Sequence, residues 1–277
     1  QRKQNIIFGG AFVFSMDIPR LERIKKYDLF LIAILLFGII FFIAGMIFAV
    51  GPNNIGPRGE YANLAWNIAK GNGFVLDYLD EYHIKFDKIP HPLEWEYPMM
   101  GILIAPFDIL FGKTPLAAIL PTMIIGTIFF PLLIYYLGKE FFDRKIGFLA
   151  ALTMLFFAPS FEYIFNGYRD IPFAFFTLAA IYFFYIGLKS ENWKSYGLMG
   201  VFLGIAYLIR PVALIMFPTL FLAHYMITKK PNFKLVIGMI LGFLVISPWL
   251  IRNFLIFGDP LFTANKYAQW ISGWFEY

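Results

Sequence analysis

The chain has 277 residues, of which 60% are hydrophobic and only 15% charged, with a net charge of +5 and a mean hydropathy of +0.68. Soluble domains sit near 25% charged, so this composition predicts a polytopic membrane protein. No basic-aromatic array of the kind that binds nucleic acid is present, and the absence of cysteine excludes structural disulfides and thiolate-held metal.

The first fifteen residues, beginning with Gln1, read as an extension ahead of Met16. The run from Arg20 to Lys26 carries four cations, and Leu29 to Val50 is a 22-residue uncharged span. Such a length crosses about 30 Å of hydrocarbon. By the positive-inside rule the N-terminal segment, residues 1–28, is then cytosolic and the next loop external. That loop, residues 51–114, holds seven of the 18 acidic residues before Pro98. Loop carboxylates do chemistry more often than they pack a core.

Met99 to Gly112 is apolar but short, and it contains Pro106 and Asp108. A crossing there would place the basic loop at Lys139–Lys145 outside, so the reading is an interfacial or re-entrant helix. Spans are predicted at 115–137, 146–163 and 171–188. The 33 residues of 196–228, broken at Arg210-Pro211, fit a hairpin of two short spans. A last span covers 235–250, and 251–277 is an external segment. The fold class predicted is all-α, about seven transmembrane helices with juxtamembrane helices on a long first loop. All four inside segments are rich in Lys or Arg, as the rule requires.

This topology brings Arg169, Asp170, Arg210 and Arg252 to the interface that carries the long loop. Snorkelling accounts for a single arginine there. Three together are better explained by an anionic ligand, because the guanidinium donates two parallel hydrogen bonds to a phosphate.

Five segments resemble the N-terminal half of a GT-C superfamily glycosyltransferase, of the protein O-mannosyltransferase and aminoarabinose transferase kind. They are Glu60-Tyr61 running to Gly71-Asn72-Gly73; His91-Pro92-Leu93-Glu94 through Tyr97-Pro98, closed by Phe111-Gly112; Arg169-Asp170-Ile171-Pro172; Gly204 to Arg210-Pro211; and Pro248-Trp249 to Arg252-Asn253. The resemblance covers roughly residues 20–260. It departs from the family where Arg58 and Pro57 stand at the usual acid position and where Leu93 replaces the second proline.

The resemblance implies an enzyme that moves a sugar from a polyprenyl-phosphate donor to a protein, glycan or lipid acceptor at the outer face of the bilayer, with inversion. Glu60 is then the candidate base and Asp170 the second catalytic carboxylate. Arg169, Arg210, Arg252, His91, Glu94 and Tyr61 are candidate substrate contacts. The resemblance leaves a divalent cation open, with Glu60, Asp170, Glu94 or His91 as its ligands. Each residue also has a plain structural reading. Glu60 suits a first-turn helix charge, Asp170 an N-cap, and His91 an ordinary interfacial histidine. Trp95, Tyr97 and Trp249 read as interface anchors. Two other functions compete: a non-catalytic lipid-phosphate-binding subunit, and an anionic-lipid transporter. The second is disfavoured because a transport path places polar groups near the midplane.

Overall fold

The computed structural model describes residues 28–48, 59–79 and 86–264, and the backbone of a short hairpin, β1 (Ile6–Phe8) with β2 (Phe12–Phe14). The basic run Arg20–Lys26, residues 57 and 58, Asp80, Glu81 and the segment after Ala264 lie outside the described residues. The chain is a multi-pass membrane protein of almost pure helix, as expected.

Helix α1 (Leu29–Phe48) is apolar on all sides. Helix α2 (Gly59–Ala69) opens with Glu60 in its first turn and buries Tyr61, Leu64 and Ala65. A two-residue pairing of β3 (Val75–Leu76) with β4 (His91–Pro92) ties the loop together. Helix α3 (Met99–Phe111) follows, at the place expected for the interfacial helix. Met100, Ile104, Ala105 and Asp108 line its buried face, while Ile102, Ile109, Leu110 and Phe111 are exposed. Helix α2 lies on α3 so closely that the Leu64 side chain occupies the space beside Gly101.

Helix α4 (Pro115–Ile124) starts where Thr114 accepts a hydrogen bond from the Ala117 N–H, with Pro at its first position. Such a start costs nothing, because the proline's missing donor would be unpaired there anyway. A π-helical turn at Ile125–Phe129 leads into α5 (Phe130–Phe141). Helices α6 (Arg144–Phe156) and α7 (Ala158–Phe165) meet at a 62° bend. Pro159 follows that bend directly, and a proline there removes an intrahelical donor. The expected single span 146–163 is therefore broken.

Helix α8 (Asp170–Ser190) precedes α9 (Trp193–Ile209), a 3-10 turn at Pro211–Ile215, α10 (Met216–Thr228) and α11 (Phe233–Phe257). Among the described residues, five helical segments have the length and hydropathy of a membrane span, or six if the bent pair counts as one; α9 is apolar but shorter, at 17 residues. The hairpin expected over 196–228 is the pair α9 and α10. The last helix runs to Phe257 rather than stopping at 250, so Arg252 lies within it.

Helices α9 and α11 run parallel in contact. A Cβ on Gly200 would fall 1.7 Å from the Gly238 carbonyl oxygen, and one on Gly238 would fall 2.2 Å from that of Tyr196. Small residues let helix backbones approach where lipid supplies no hydrophobic drive.

The helices present two different ends. At one, Asp28 accepts from the Tyr135 hydroxyl at 2.6 Å and pairs with Lys139 at 3.5 Å, Lys189 pairs with Glu140 at 2.6 Å, and Lys234 donates to the Glu191 carbonyl at 2.7 Å. Burial works to raise the Asp28 carboxyl, but the Tyr135 hydroxyl, the Leu31 backbone and the charges of Lys139 and Arg144 outweigh it and hold it below its ordinary value. The other end carries the loop, α2, α3 and the candidate residues.

Candidate functional site

A small open cavity lies at the loop end, lined by Tyr61, Asn166, Gly167, Tyr168, Arg169, Asp170 and Arg210. Four residues singled out in the sequence therefore meet at one place. Local chemistry explains why. Helix α7 ends in a turn at Asn166-Gly167, with Gly167 at a φ of 66°, which a Cβ would disfavour. Tyr168 and Arg169 follow, and α8 begins at Asp170. Helix α9 stops at Ile209 because Arg210 precedes a proline and is driven to extended backbone, at φ −143° and ψ 125°. Both arginines thus project from helix ends.

Arg210 donates through one Nη to Asp170 at 2.6 Å, and its guanidinium lies 5.8 Å from the Phe173 ring. Both side chains of this pair are about one third exposed. The Nε of Arg210 is buried and has no hydrogen-bond partner. A charged donor at a cavity wall is one that a ligand or a water completes. Among the described residues, Arg169 is paired with Glu96, as Arg210 is with Asp170. The N-cap reading of Asp170 is corrected: Arg169 occupies that position, and Asp170 is the first helical residue, with its side chain on Arg210.

Tyr61 reaches the cavity from the third position of α2, and the partly buried Glu60 precedes it. Glu96 is a site residue that the sequence reading did not pick. It is 6% exposed, where glutamate is almost never found unpaired. Its signal was the doubled acid Glu94-Trp95-Glu96, of which only Glu94 was chosen.

The other candidates lie outside the cavity lining. His91 is buried, with one ring nitrogen 2.8 Å from the Tyr78 carbonyl oxygen and the other 3.1 Å from that of Pro92. Phe86 stacks on its ring. Glu94 is buried, and its carbonyl accepts from the Ala264 N–H at 2.8 Å. Arg252 donates to the carbonyls of Leu93 at 2.7 Å and Phe74 at 3.3 Å and to Asn253 Oδ1 at 2.9 Å, with Trp249 against its face at 4.6 Å. Asp108, buried on α3 with one oxygen unpartnered, has its carboxyl pushed up to about 6 by burial, against the pull of Lys113.

Among the described residues, no three His, Cys, Asp or Glu side chains come together as a protein-held metal requires. Asp170 and Glu96 are instead committed to arginines, so this donor set does not fit a resident cation.

Carboxylates and arginines of a helical membrane domain thus gather around a cavity at its loop end, and the family match places the chain among the membrane glycosyltransferases of the GT-C type. The model of the dolichyl-phosphate-mannose-protein mannosyltransferase family matches residues 90–251, well over half of the sequence, and the chain belongs to that family. Neither a curated protein nor a solved structure matches it.

Proposed function

We propose that the chain transfers a sugar from a polyprenyl-phosphate donor to an acceptor hydroxyl at the loop end of its helices, on the outer face of the cell membrane. The observation that carries this reading is the unfilled, buried Arg210 Nε at the wall of the cavity. The departing lipid phosphate is the anion it would serve. The basic character of the opposite helix ends supports a cytosolic position for them.

In this reading the acceptor oxygen attacks the anomeric carbon and a new C–O bond forms. The bond from that carbon to the phosphate oxygen breaks, and its electron pair leaves with the lipid phosphate. Glu60 takes the acceptor's proton, the contribution of a general base. Arg210 and Arg169 stabilise the charge that grows on the phosphate, with the Tyr61 hydroxyl beside them. Asp170 holds the Arg210 fork in place, and Glu96 does the same for Arg169. Attack opposite the leaving phosphate inverts the anomeric centre.

The test uses the full chain in lipid nanodiscs with a panel of radiolabelled polyprenyl-phosphate sugars and a membrane extract as acceptor. Transfer is expected, and Glu60→Gln is expected to lower it by about 10²–10⁴-fold. Transfer that survives Glu60→Gln would remove Glu60 as the base. Retention of lipid phosphate without transfer would favour the binding-subunit alternative, which the absence of an acid at positions 57 and 58 also favours. The absence of both transfer and retention would overturn the proposal.

A further inference from the structure

We infer that Arg252, Asn253 and Thr263 are positioning residues: they clasp the loop between α11 and the segment that follows it, and thereby hold Glu96 against Arg169 in the cavity.

Three sets of contacts make the clasp. The Arg252 guanidinium joins the two sides of the loop, at Phe74 and Leu93, whose backbones are themselves linked by the Leu93 N–H donating to the Phe74 carbonyl at 3.0 Å. Charge-assisted hydrogen bonds of this kind are the stronger ones. Asn253, 2% exposed, accepts from Arg252 and donates to the Phe262 carbonyl at 3.2 Å. The chain beyond Gly258 then runs beside the loop. Thr263 Oγ1 donates to the Trp95 carbonyl at 3.0 Å and the Ala264 N–H to the Glu94 carbonyl at 2.8 Å. The next residue along the loop is Glu96, the partner of Arg169. A loosened clasp shifts Glu96 at one remove and releases the Arg169 guanidinium.

The inference differs from a direct phosphate role for Arg252 in one clear respect. Thr263 is one residue of the clasp and is not among the residues lining the cavity, so only a positioning role makes Thr263 matter to Arg169.

The experiment reads Arg169 itself. The full chain in nanodiscs is treated with phenylglyoxal, and the modification rates of Arg169, Arg210 and Arg144 are followed by mass spectrometry. Thr263→Val is expected to speed modification of Arg169 about fivefold, the shift that loss of one hydrogen bond allows, and to leave Arg210 and Arg144 within about twofold. Thr263→Ser, which keeps the hydroxyl, is expected to match the parent chain. Glu96→Gln is expected to raise Arg169 reactivity as much or more, and Thr263→Val to add little to it. An unchanged Arg169 in Thr263→Val, or an equal rise at all three arginines, would overturn the inference. Its meaning for catalysis rests on the proposed transferase reading, but the readout does not. Failure of transfer with every donor would leave the Arg169 result standing, and an unmoved Arg169 would leave the transferase reading standing.

Discussion

Arg210 and Arg252 stand toward the same end of two parallel, touching helices, and their surroundings are opposite. Helix α9 breaks at Arg210 because a proline follows, so that side chain faces a cavity with one Nη on Asp170 and its Nε unfilled. Helix α11 continues past Arg252 for five more residues, so that side chain is covered by the loop and directs both Nη groups at protein oxygens. Where the helix ends, the cation is left to a ligand. Where the helix continues, it organises the protein.

Exchanging the two arginines' neutral variants gives the largest contrast. Arg210→Gln is expected to lower transfer by about 10²–10³-fold, the loss typical of one donor to a developing anion. Its effect on thermal unfolding in nanodiscs should be under about 1 kcal/mol, because the pair it breaks is one third exposed on each side. Arg252→Gln should shift the weight to stability, with a smaller loss of transfer that follows from the loosened clasp at Glu96 and Arg169. Removing a buried charged donor from two carbonyls is expected to cost about 2–3 kcal/mol of stability, seen as an earlier unfolding transition. A stable but inactive Arg252→Gln would break the comparison.

The register that sets both arginines depends on the glycine contact between α9 and α11. Gly238→Ala places a methyl 2.2 Å from the Tyr196 carbonyl oxygen and is expected to cost about 1–3 kcal/mol by overpacking. Transfer and stability should fall together, and by similar amounts.

The smallest effect concerns Asp108, which packs in the same loop end without a partner charge in contact. Its folded pKa is raised to about 6 from 3.8. Its favourable contribution is therefore complete below about pH 4 and is lost as pH rises through about 6. Asp108→Asn is expected to flatten the stability profile across that window and to be more stable than the parent at pH 7.5. Unfolding curves at pH 4.5 and 7.5 check the sign.

The membrane helices were legible because hydropathy and the Lys/Arg rule act over whole segments. The break at Arg210-Pro211 was legible because proline acts locally. The gathering of Arg169, Asp170 and Arg210 follows from placing helix ends at one interface, an argument that also brings Arg252 there although it does not line the cavity, while Tyr61 came from the family resemblance. Three things were not readable. The bend at Phe157 depends on one proline inside an otherwise continuous span. The extension of α11 to Phe257 kept Arg252 inside a helix, because Ile251 to Phe257 are as helix-compatible as what precedes them. The choice of Glu96 over Glu94 for the cavity was hidden because the segment between β4 and α3 is irregular and has no period to assign faces.

The central claim is that the Arg210 cavity, and not Arg252, takes the lipid phosphate. It is tested most directly by titrating polyprenyl phosphate into the full chain in nanodiscs and comparing Arg210→Gln with Arg252→Lys. The account predicts that Arg210→Gln weakens binding about tenfold or more, as loss of a charge-assisted bond does, while Arg252→Lys binds as the parent chain does. Parent-like binding by Arg210→Gln, with loss in Arg252→Lys, would contradict it.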